Sequence, residues 1–380
     1  MLTLVLQIVF WVSLAGLTYA YAGYPLLLLL LSRRPRPAAA APFEPGAWPS
    51  VALLIPVHNE RGVIEGKLAN VASLVYPGRL HVFIISDGSS DGTNEYVRAH
   101  ADARTTFLEL TGRNGKAGAL NRALQDVTED IVVFSDASIL LEPDAIERIA
   151  APFADPRIGC ASGEDRIAGA GGENLYGRYE LFVRRRESEI GSIVGASGSF
   201  YAQRRHLCEP FVANLAPDFW SVLRVVEQGY RAISEPTAVG SMSHVSSMAE
   251  EFTRKVRTLL RGITTLVRYA HLMNPFTYGF FAVQLLSHKL ARWLVPLFLV
   301  TAFVASAALA RHFLFYRVAF VAQAVLYLLA LGAHLGVPGF ASGRLPRVCL
   351  YFVVVNVATA AAWLKFMTGV RQELWTPSRR

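Results

Sequence analysis

A carboxylate and a hydroxyl stand two positions apart, directly after an apolar run near the middle of the chain. The run, residues 131–134, is rich in β-branched side chains and predicts a buried strand of a parallel sheet, with Asp136 and Ser138 following it. Ligands of open α/β sheets bind outside the carboxyl ends of strands. Asp136 and Ser138 are therefore candidate ligands of a divalent cation, Mg²⁺ or Mn²⁺, that bridges phosphate oxygens. The alternative is that Asp136 only caps the turn.

A second candidate for phosphate chemistry is the pair Gly115-Lys116. A phosphate-binding loop of the nucleotide triphosphatase type needs a glycine five positions before Gly115 and a Ser or Thr after the lysine. Position 110 is leucine and position 117 is alanine, which excludes that motif.

The predicted elements that position these residues alternate between strands and helices. A turn-rich segment, residues 86–93, leads from the second strand into a helix. Repeated β-α-β units imply a parallel sheet with right-handed crossovers, and hence an α/β fold. The predicted strands are residues 51–56, 80–85, 107–110 and 131–134, and the predicted helices include residues 60–74 and 116–124.

The composition indicates a membrane protein, because 53% of the 380 residues are hydrophobic and only 17% are charged. Residues 2–31 are almost uninterrupted apolar sequence, long enough to span a bilayer. Arg33, Arg34 and Arg36 follow this run, the reverse of the order in a cleaved signal peptide. We therefore expect residues 1–32 to be a retained anchor in the plasma (inner) membrane, with the chain after it in the cytoplasm. The net charge of +8 fits a membrane face, and no nucleic-acid partner is expected.

The remaining organisation follows from composition. We expect a linker at 33–49, a cytosolic domain at 50–245, amphipathic interfacial helices at 246–289, membrane helices within 290–370 and a tail at 371–380. The alternative for the amphipathic part is the solvated face of a core helix. Three apolar runs, 290–309, 313–335 and 348–370, would place Arg371, Arg379 and Arg380 outside, against the usual charge bias. Either one run is re-entrant or residues 275–286 also enter the membrane.

Several motifs in the same order resemble those of membrane-bound family 2 glycosyltransferases, the group that contains cellulose, hyaluronan and poly-N-acetylglucosamine synthases. The resemblance covers roughly residues 50 to 300 and implies a nucleotide-sugar-binding domain of the GT-A type with transmembrane helices at both ends. The motifs are IPVHNE at 55–60, SDGSSDGT at 86–93, GKAGALN at 115–121, SDAS at 135–138, GASGS at 195–199 and SHKLARW at 287–293.

The resemblance implies roles for residues on the donor side. The end of the first strand and Asp87 would hold the base and ribose, Lys116 and Arg257 would lie near the diphosphate, and Asp136 would hold the metal. This chain departs from the family at the second metal carboxylate, where it has Ser138. The alternatives are a turn-forming Asp87, a solvated Lys116 and a solvated or lipid-facing Arg257. The implied nucleotide-sugar-binding residues are Pro56, His58, Glu60, Asp87, Lys116, Asp136 and Arg257.

On the acceptor side, the family places a catalytic base in an acidic pair ahead of a helix that ends in Gly-Tyr-Arg. Here the first acid is absent and Asp218 remains, so Asp218 is the implied base, with a helix N-cap as its alternative. Gly198, Ser199 and Arg254 are the implied acceptor contacts. Arg254 and Thr258 replace the Gln and Trp of the family's Gln-x-x-Arg-Trp segment, which counts against processive extension of a polymer.

The implied activity is inverting transfer of a sugar from a nucleotide sugar, expected to be a UDP-sugar, in polysaccharide biosynthesis. The acceptor would be a membrane-associated glycan or a lipid-linked saccharide, and the lipid bilayer and export-complex proteins would be partners. Two alternatives stay open. One is transfer to a polyprenyl phosphate carrier, and the other is a non-catalytic membrane subunit of a polysaccharide export complex.

Overall fold

The computed structural model describes residues 1–32, 43–44, 46–167, 172–242, 248–340 and 343–371. Most of the predicted linker and tail lie outside these residues, as do Arg33, Arg34, Arg36, Arg379 and Arg380. The chain begins with a helical segment, Leu2–Leu31, which consists of α1 (Leu2–Thr18), a π-helical turn (Tyr19–Gly23) and α2 (Tyr24–Leu31).

One mixed sheet forms the centre of the domain. Its strands in the described residues are β1 (Val51–Val57), β2 (Leu80–Asp87), β3 (Thr105–Leu110), β4 (Ile131–Ser135), β5 (Leu140–Leu141), β6 (Ile158–Ile167), β7 (Phe200–Arg204) and β8 (Arg231–Met242), in the order β3-β2-β1-β4-β7-β6-β8-β5. The half from β3 to β4 is parallel, as predicted. The other half is mixed, because β7 runs antiparallel to both β4 and β6. The α/β fold class is thus confirmed.

Helices cover both faces of the sheet, and β1 is consequently buried along its whole length. The helices are α3 (Arg61–Ala72), α4 (Thr93–His100), α5 (Gly115–Asp126), α6 (Ala145–Ala150), α7 (Gly172–Ile190), α8 (Pro217–Glu227) and α9 (Met248–Arg268). Alternate side chains of β1 point to opposite faces. Leu53 and Ile55 pack in one core with Ile64 of α3, whereas Leu54 packs in the other core with Leu120 of α5.

Apolar helices follow the domain: α10 (Pro275–Leu285), a π-helical segment (Leu286–Ala291), α11 (Val295–Leu309), α12 (Leu314–His334) and α13 (Arg344–Met367). By length and composition, Leu2–Leu31, α12 and α13 could each cross a membrane. Pro275–Ala291 and Val295–Leu309 meet that criterion together, with a bend of 56° between them. The run expected to span the membrane at 290–309 is therefore preceded by an apolar helical segment from Pro275, within the stretch expected to be interfacial, and the bent pair has the form of a broken span or a re-entrant loop.

The amino-terminal helix packs antiparallel to α11. The hydroxyls of Ser13 and Thr301 are 2.7 Å apart, and Gly16 lies against the ring of Phe298. A Cβ at Gly16 would lie 2.6 Å from that ring, so a glycine allows the two helices to approach closely. This contact joins the amino-terminal helix to the apolar helices that follow the domain.

Candidate active site

A cavity of about 280 Å³ lies where β4 and β6 end and α8 begins, and one face of α9 closes it. Many of the predicted site residues meet there: Glu60, Lys116, Asp136, Ser138, Gly198, Ser199, Asp218, Arg254 and Arg257. Residues without a predicted role complete the lining: Asp165, Ala216, Pro217, Thr258 and Arg261. The cavity is therefore lined mainly by charged and small polar groups.

Lys116 and Asp136 form an ion pair at the centre of this cavity. The Nζ atom of Lys116 donates to Oδ1 of Asp136 at 2.5 Å and to the carbonyl oxygen of Gly198 at 3.1 Å. The backbone N–H of Asp136 donates to the carbonyl oxygen of Ser199 at 3.0 Å. Only 13% of the Lys116 side chain is exposed, so the solvated alternative for this lysine is wrong. These bonds tie the loop after β4 to residues 198–199.

The oxygen atoms near Asp136 fit a divalent cation that shares its coordination with a substrate. Mg²⁺ is usually held by one or two carboxylates together with waters and phosphate oxygens. Asp136, Ser138 and Asp165 line the same cavity and offer oxygen ligands. In the described part of the chain, no three His, Cys, Asp or Glu side chains form a metal-binding group. The donor set thus suits a metal that binds with a diphosphate rather than an all-protein metal cage.

Asp165, at the end of β6, is a carboxylate that the sequence analysis missed. The hydroxyl of Ser197 lies 2.7 Å from its carboxylate oxygens, and the hydroxyl of Ser199 donates to Oδ2 at 2.9 Å. Burial raises the pKa of Asp165, and the nearby charge of Asp136 acts in the same direction. The acidic pair Glu164-Asp165 was a signal for this site, but the strand that carries it was not predicted.

Asp218 lies in the first turn of α8, directly after Pro217. Ala216 occupies the N-cap position, so the alternative role of Asp218 as the N-cap is wrong. A Cβ built on Gly198 would lie 3.8 Å from the Asp218 carboxylate, which shows how closely that carboxylate approaches the loop. Gly198 therefore lies between the two groups. Its carbonyl oxygen accepts a hydrogen bond from Lys116, and its Cα lies next to the Asp218 carboxylate.

Three arginines of α9 line the cavity, at a spacing that places them on one helix face. Arg254 pairs with Glu251 through Nε at 2.7 Å and a terminal nitrogen at 2.8 Å. Arg261 donates to the carbonyl oxygen of Ala213 at 2.9 Å, while its buried Nε has no hydrogen-bond partner in the described part of the chain. Burial lowers the pKa of Arg257 and Arg261, and the charge of Asp218 opposes this at Arg261.

Three of the predicted donor-side residues, Pro56, His58 and Asp87, do not line the cavity. Asp87 is fully buried, and its two carboxylate oxygens accept the backbone N–H groups of Asn114 at 2.5 Å and Gly115 at 2.8 Å. Nδ1 of His58 donates to the carbonyl oxygen of Asp87 at 2.7 Å. Pro56 is buried within β1. These contacts agree with the turn-forming alternative for Asp87, and its contact with a nucleotide base stays a prediction.

Similarity to known proteins bears on the class of enzyme to which this cavity corresponds. Residues 52–231 match the family described as Glycosyl transferase family 2. A poly-beta-1,6-N-acetyl-D-glucosamine synthase of Staphylococcus aureus is 26% identical over 238 residues, which are 57% of this chain and 56% of that protein. An N-acetylglucosaminyltransferase of Mesorhizobium japonicum is 33% identical over 133 residues, 34% of this chain and 31% of that protein. The chain thus spans about half the length, or less, of these curated relatives.

A solved structure resembles nearly the whole chain. It is a mannosyltransferase from Pyrobaculum calidifontis in complex with GDP-Man and Mn²⁺, with a TM-score of 0.72 and 26% sequence identity. The alignment covers 94% of this chain and 99% of that one. The mixed sheet therefore has the GT-A fold, and residues 52–231 form a family 2 glycosyltransferase domain with similarity to polysaccharide synthases.

Proposed function

We propose that this protein transfers a single sugar, with inversion, from a nucleotide sugar to a membrane-associated glycan or a lipid-linked saccharide. The observation that carries the proposal is the arrangement around Gly198, where the Lys116–Asp136 pair and Asp218 meet in one cavity. A cation and a metal-binding carboxylate suit the diphosphate of a donor, and a separate carboxylate suits an acceptor hydroxyl.

On the donor side, Lys116, Arg257 and Arg261 would stabilise the negative charge that develops on the departing diphosphate. The unpartnered Nε of Arg261 supports this role, because leaving a buried donor unsatisfied costs about 1–3 kcal/mol and an anion would satisfy it. A divalent cation held by Asp136 and Ser138 would supply further charge neutralisation at the same phosphates. Asp87 would act through the loop that it holds, which leads to Lys116.

On the acceptor side, Asp218 would accept the proton of the attacking hydroxyl. The hydroxyl oxygen forms a bond to the anomeric carbon as the bond to the diphosphate breaks on the opposite face, which inverts the configuration. A positioned base of this kind contributes about 10²–10⁴-fold in rate. Arg254 and Thr258 line the cavity and would contact the acceptor, at the positions where the family's processive members have Gln and Trp. This supports transfer of one sugar per acceptor.

The donor is proposed to be a UDP-sugar. The names of the two sequence relatives favour N-acetylglucosamine as the transferred sugar, whereas the mannosyltransferase holds GDP-Man. The domain would face the cytoplasm of a cell with the helices in its plasma membrane, and export-complex proteins would receive the product. The cytoplasm is the compartment in which nucleotide sugars would reach the cavity.

The test is release of nucleoside diphosphate by the full chain, purified in detergent with membrane lipid extract as acceptor. UDP-N-acetylglucosamine, UDP-glucose and GDP-mannose are each supplied with Mg²⁺ or Mn²⁺. We expect release with a UDP-sugar, and mass spectrometry of the lipid fraction should show the added mass of one sugar. Absence of release with every donor and metal would contradict the proposal and favour the non-catalytic subunit.

A further inference from the structure

A second and larger cavity lies between the amino-terminal helix, α7 and α13. Its volume is about 560 Å³, within the range of sites that bind small molecules. Aromatic and aliphatic side chains dominate its lining, with one amide and one cation among them. The lining includes Tyr21, Tyr179, Phe182, Tyr351, Phe352 and Val355. One of these helices, Leu2–Leu31, is long and apolar enough to cross a membrane, so hydrocarbon around that helix would adjoin the cavity.

Cationic side chains stand at the aromatic wall of this cavity. The Nζ atom of Lys255 lies 5.5 Å from the ring centre of Tyr176 and 5.3 Å from that of Tyr351. The guanidinium of Arg292 lies 5.3 Å from the Tyr176 ring and donates to the Tyr176 hydroxyl at 2.6 Å. Glu180 pairs with Arg292 at 2.5 Å and thereby fixes it in place. Lys255 is likewise paired, with Glu251 at 3.0 Å, so both cations are ordered at the cavity wall. This apolar cavity suits a long apolar molecule that carries an anionic group.

A small cavity of about 70 Å³ continues from the aromatic cavity towards the active site. The two share Tyr21, Tyr176, Val355 and Asn356, and the small one reaches Lys289. The Nζ atom of Lys289 lies 5.2 Å from the ring centre of Phe219, the residue after Asp218. Lys289 has no hydrogen bond or ion pair within the part of the chain that the structure describes. Its ammonium group is thus placed for an anion between the two cavities.

Helix α9 is the wall between the two sites. Arg254, Arg257 and Arg261 face the active-site cavity, whereas Leu259 lines the small cavity and Lys255 contacts its aromatic wall. Residues three and four apart share a helix face, so these two sets form adjacent faces of one helix. A ligand that passes from one cavity to the other would therefore run beside a row of cations.

We propose that the aromatic cavity binds the hydrocarbon chain of an isoprenoid diphosphate-linked saccharide, the acceptor of the transfer. This rests on the proposed function and names its acceptor class. The diphosphate would lie against Lys289 and Lys255, and the terminal sugar hydroxyl would reach Asp218. The volume suits a segment of one chain better than the paired chains of a glycerolipid, and the cations suit a diphosphate.

The test compares two substitutions on α13. Val355→Trp places an indole inside the cavity, because Val355 lines both cavities. Val357→Trp makes the same change two positions away, at a side chain that is 52% exposed on the apolar surface. Neither residue lines the active-site cavity. The probe is an undecaprenyl diphosphate-linked N-acetylglucosamine in detergent micelles, and the readouts are its KM, its kcat and donor hydrolysis by water in its absence.

We expect Val355→Trp to raise the acceptor KM at least tenfold while donor hydrolysis and nucleotide affinity stay at wild-type values. Val357→Trp should leave all of these unchanged. Preserved donor hydrolysis shows that the variant folds, and failure of the wild type to release nucleoside diphosphate both with and without acceptor would contradict the proposed function instead. Equal acceptor KM values in the two variants would overturn the lipid site. Preferential use of a diacylglycerol-linked saccharide by the wild type would overturn the isoprenoid assignment.

Discussion

Lys67 is a buried cation beneath the loop that carries the predicted metal ligands. It is fully buried in α3, and its Nζ atom donates to the hydroxyl of Ser135 at 2.9 Å and to the carbonyl oxygen of Ile139 at 2.6 Å. These two bonds hold both ends of the segment that contains Asp136 and Ser138. Lys67 thus positions the loop without lining the cavity.

Titration of Lys67 gives a prediction about stability. Burial lowers the pKa of Lys67 from 10.5 to about 7, so between these values the unfolded chain holds a proton that the folded protein has released. The free energy of unfolding should therefore rise with pH across this window, by up to about 1.4 kcal/mol per unit from this residue. Lys67→Met should lose that part of the slope, measured by unfolding between pH 7 and 10. An equal slope in both proteins would contradict the prediction.

Removal of the metal gives a second prediction for a single residue. A chelator should abolish transfer, and added Mn²⁺ should restore it in the wild type but not in Asp136→Ala. Mn²⁺ should also raise nucleoside diphosphate affinity only in the wild type, because Asp136 would hold the metal that neutralises the phosphate charge. Asp126→Ala is the control, since that carboxylate pairs with Arg122 on the outer surface of α5. Full activity in chelator would remove the metal assignment.

At the scale of elements, the loops at the carboxyl ends of β2 and β3 depend on glycines. Gly88 has a φ of +65°, and a Cβ there would lie 2.6 Å from the carbonyl oxygen of Gly112. Both glycines belong to the segments that surround Asp87 and lead to α5. The backbone at this point therefore packs too closely for any larger residue.

We predict that Gly88→Ala destabilises the domain and weakens nucleotide binding. The positive φ costs about 1–3 kcal/mol, and the close contact with Gly112 adds to this cost. Gly62→Ala is the matched control, because Gly62 is an exposed position of α3 with nothing near its would-be Cβ. That change should stabilise by about 0.4–1 kcal/mol. Thermal unfolding of the two variants provides the measurement, and equal melting temperatures would contradict the account.

The two halves of the sheet differ in how far the sequence predicts them. β1, β2 and β4 are apolar runs bounded by turn residues, and their burial on both faces makes that pattern visible. The sequence of β6 contains Gly159, Ser162, Gly163 and the acidic pair, and that of β8 contains Pro236. Neither sequence has the apolar pattern that predicts a buried strand. Their polar side chains are satisfied by distant partners, such as Arg185, which pairs with Glu164 at 2.5 Å.

The sequence did not identify Asp165 and Arg261 as site residues for the same reason. Only the tertiary fold brings them to the cavity.

For the whole molecule, the position of α13 bears on the topology. Ala362 packs with Leu260 and Ile263 of α9, and the indole N–H of Trp363 donates to the carbonyl oxygen of Trp293 at 2.9 Å. A helix with the charge of α9 is too costly to place across hydrocarbon. Near the other end of α13, Lys255 of α9 lies 5.3 Å from the ring centre of Tyr351. These contacts place α13 along α9, beside the domain, and the chain would cross the membrane at Leu2–Leu31, the bent pair and α12.

This arrangement predicts that the tail lies on the same side as the catalytic domain, in agreement with the bias of Arg and Lys towards the cytoplasm. A fluorescent reporter fused after Arg380 should fold in the cytoplasm. An alkaline phosphatase reporter inserted at His312, in the turn between α11 and α12, should be active outside. A tail reporter that is active only outside the cell would show that α13 crosses the membrane.

The proposed role of Asp218 as the base of a sugar transfer is decided by Asp218→Asn. Asparagine keeps the size of the side chain but cannot accept the proton. Glu209→Gln is the control, because Glu209 is paired with Arg224 outside the cavity. We predict that Asp218→Asn binds nucleotide sugar with near-normal affinity while transfer falls by about two orders of magnitude or more, and that Glu209→Gln stays near the wild-type rate. Wild-type turnover in Asp218→Asn would contradict it.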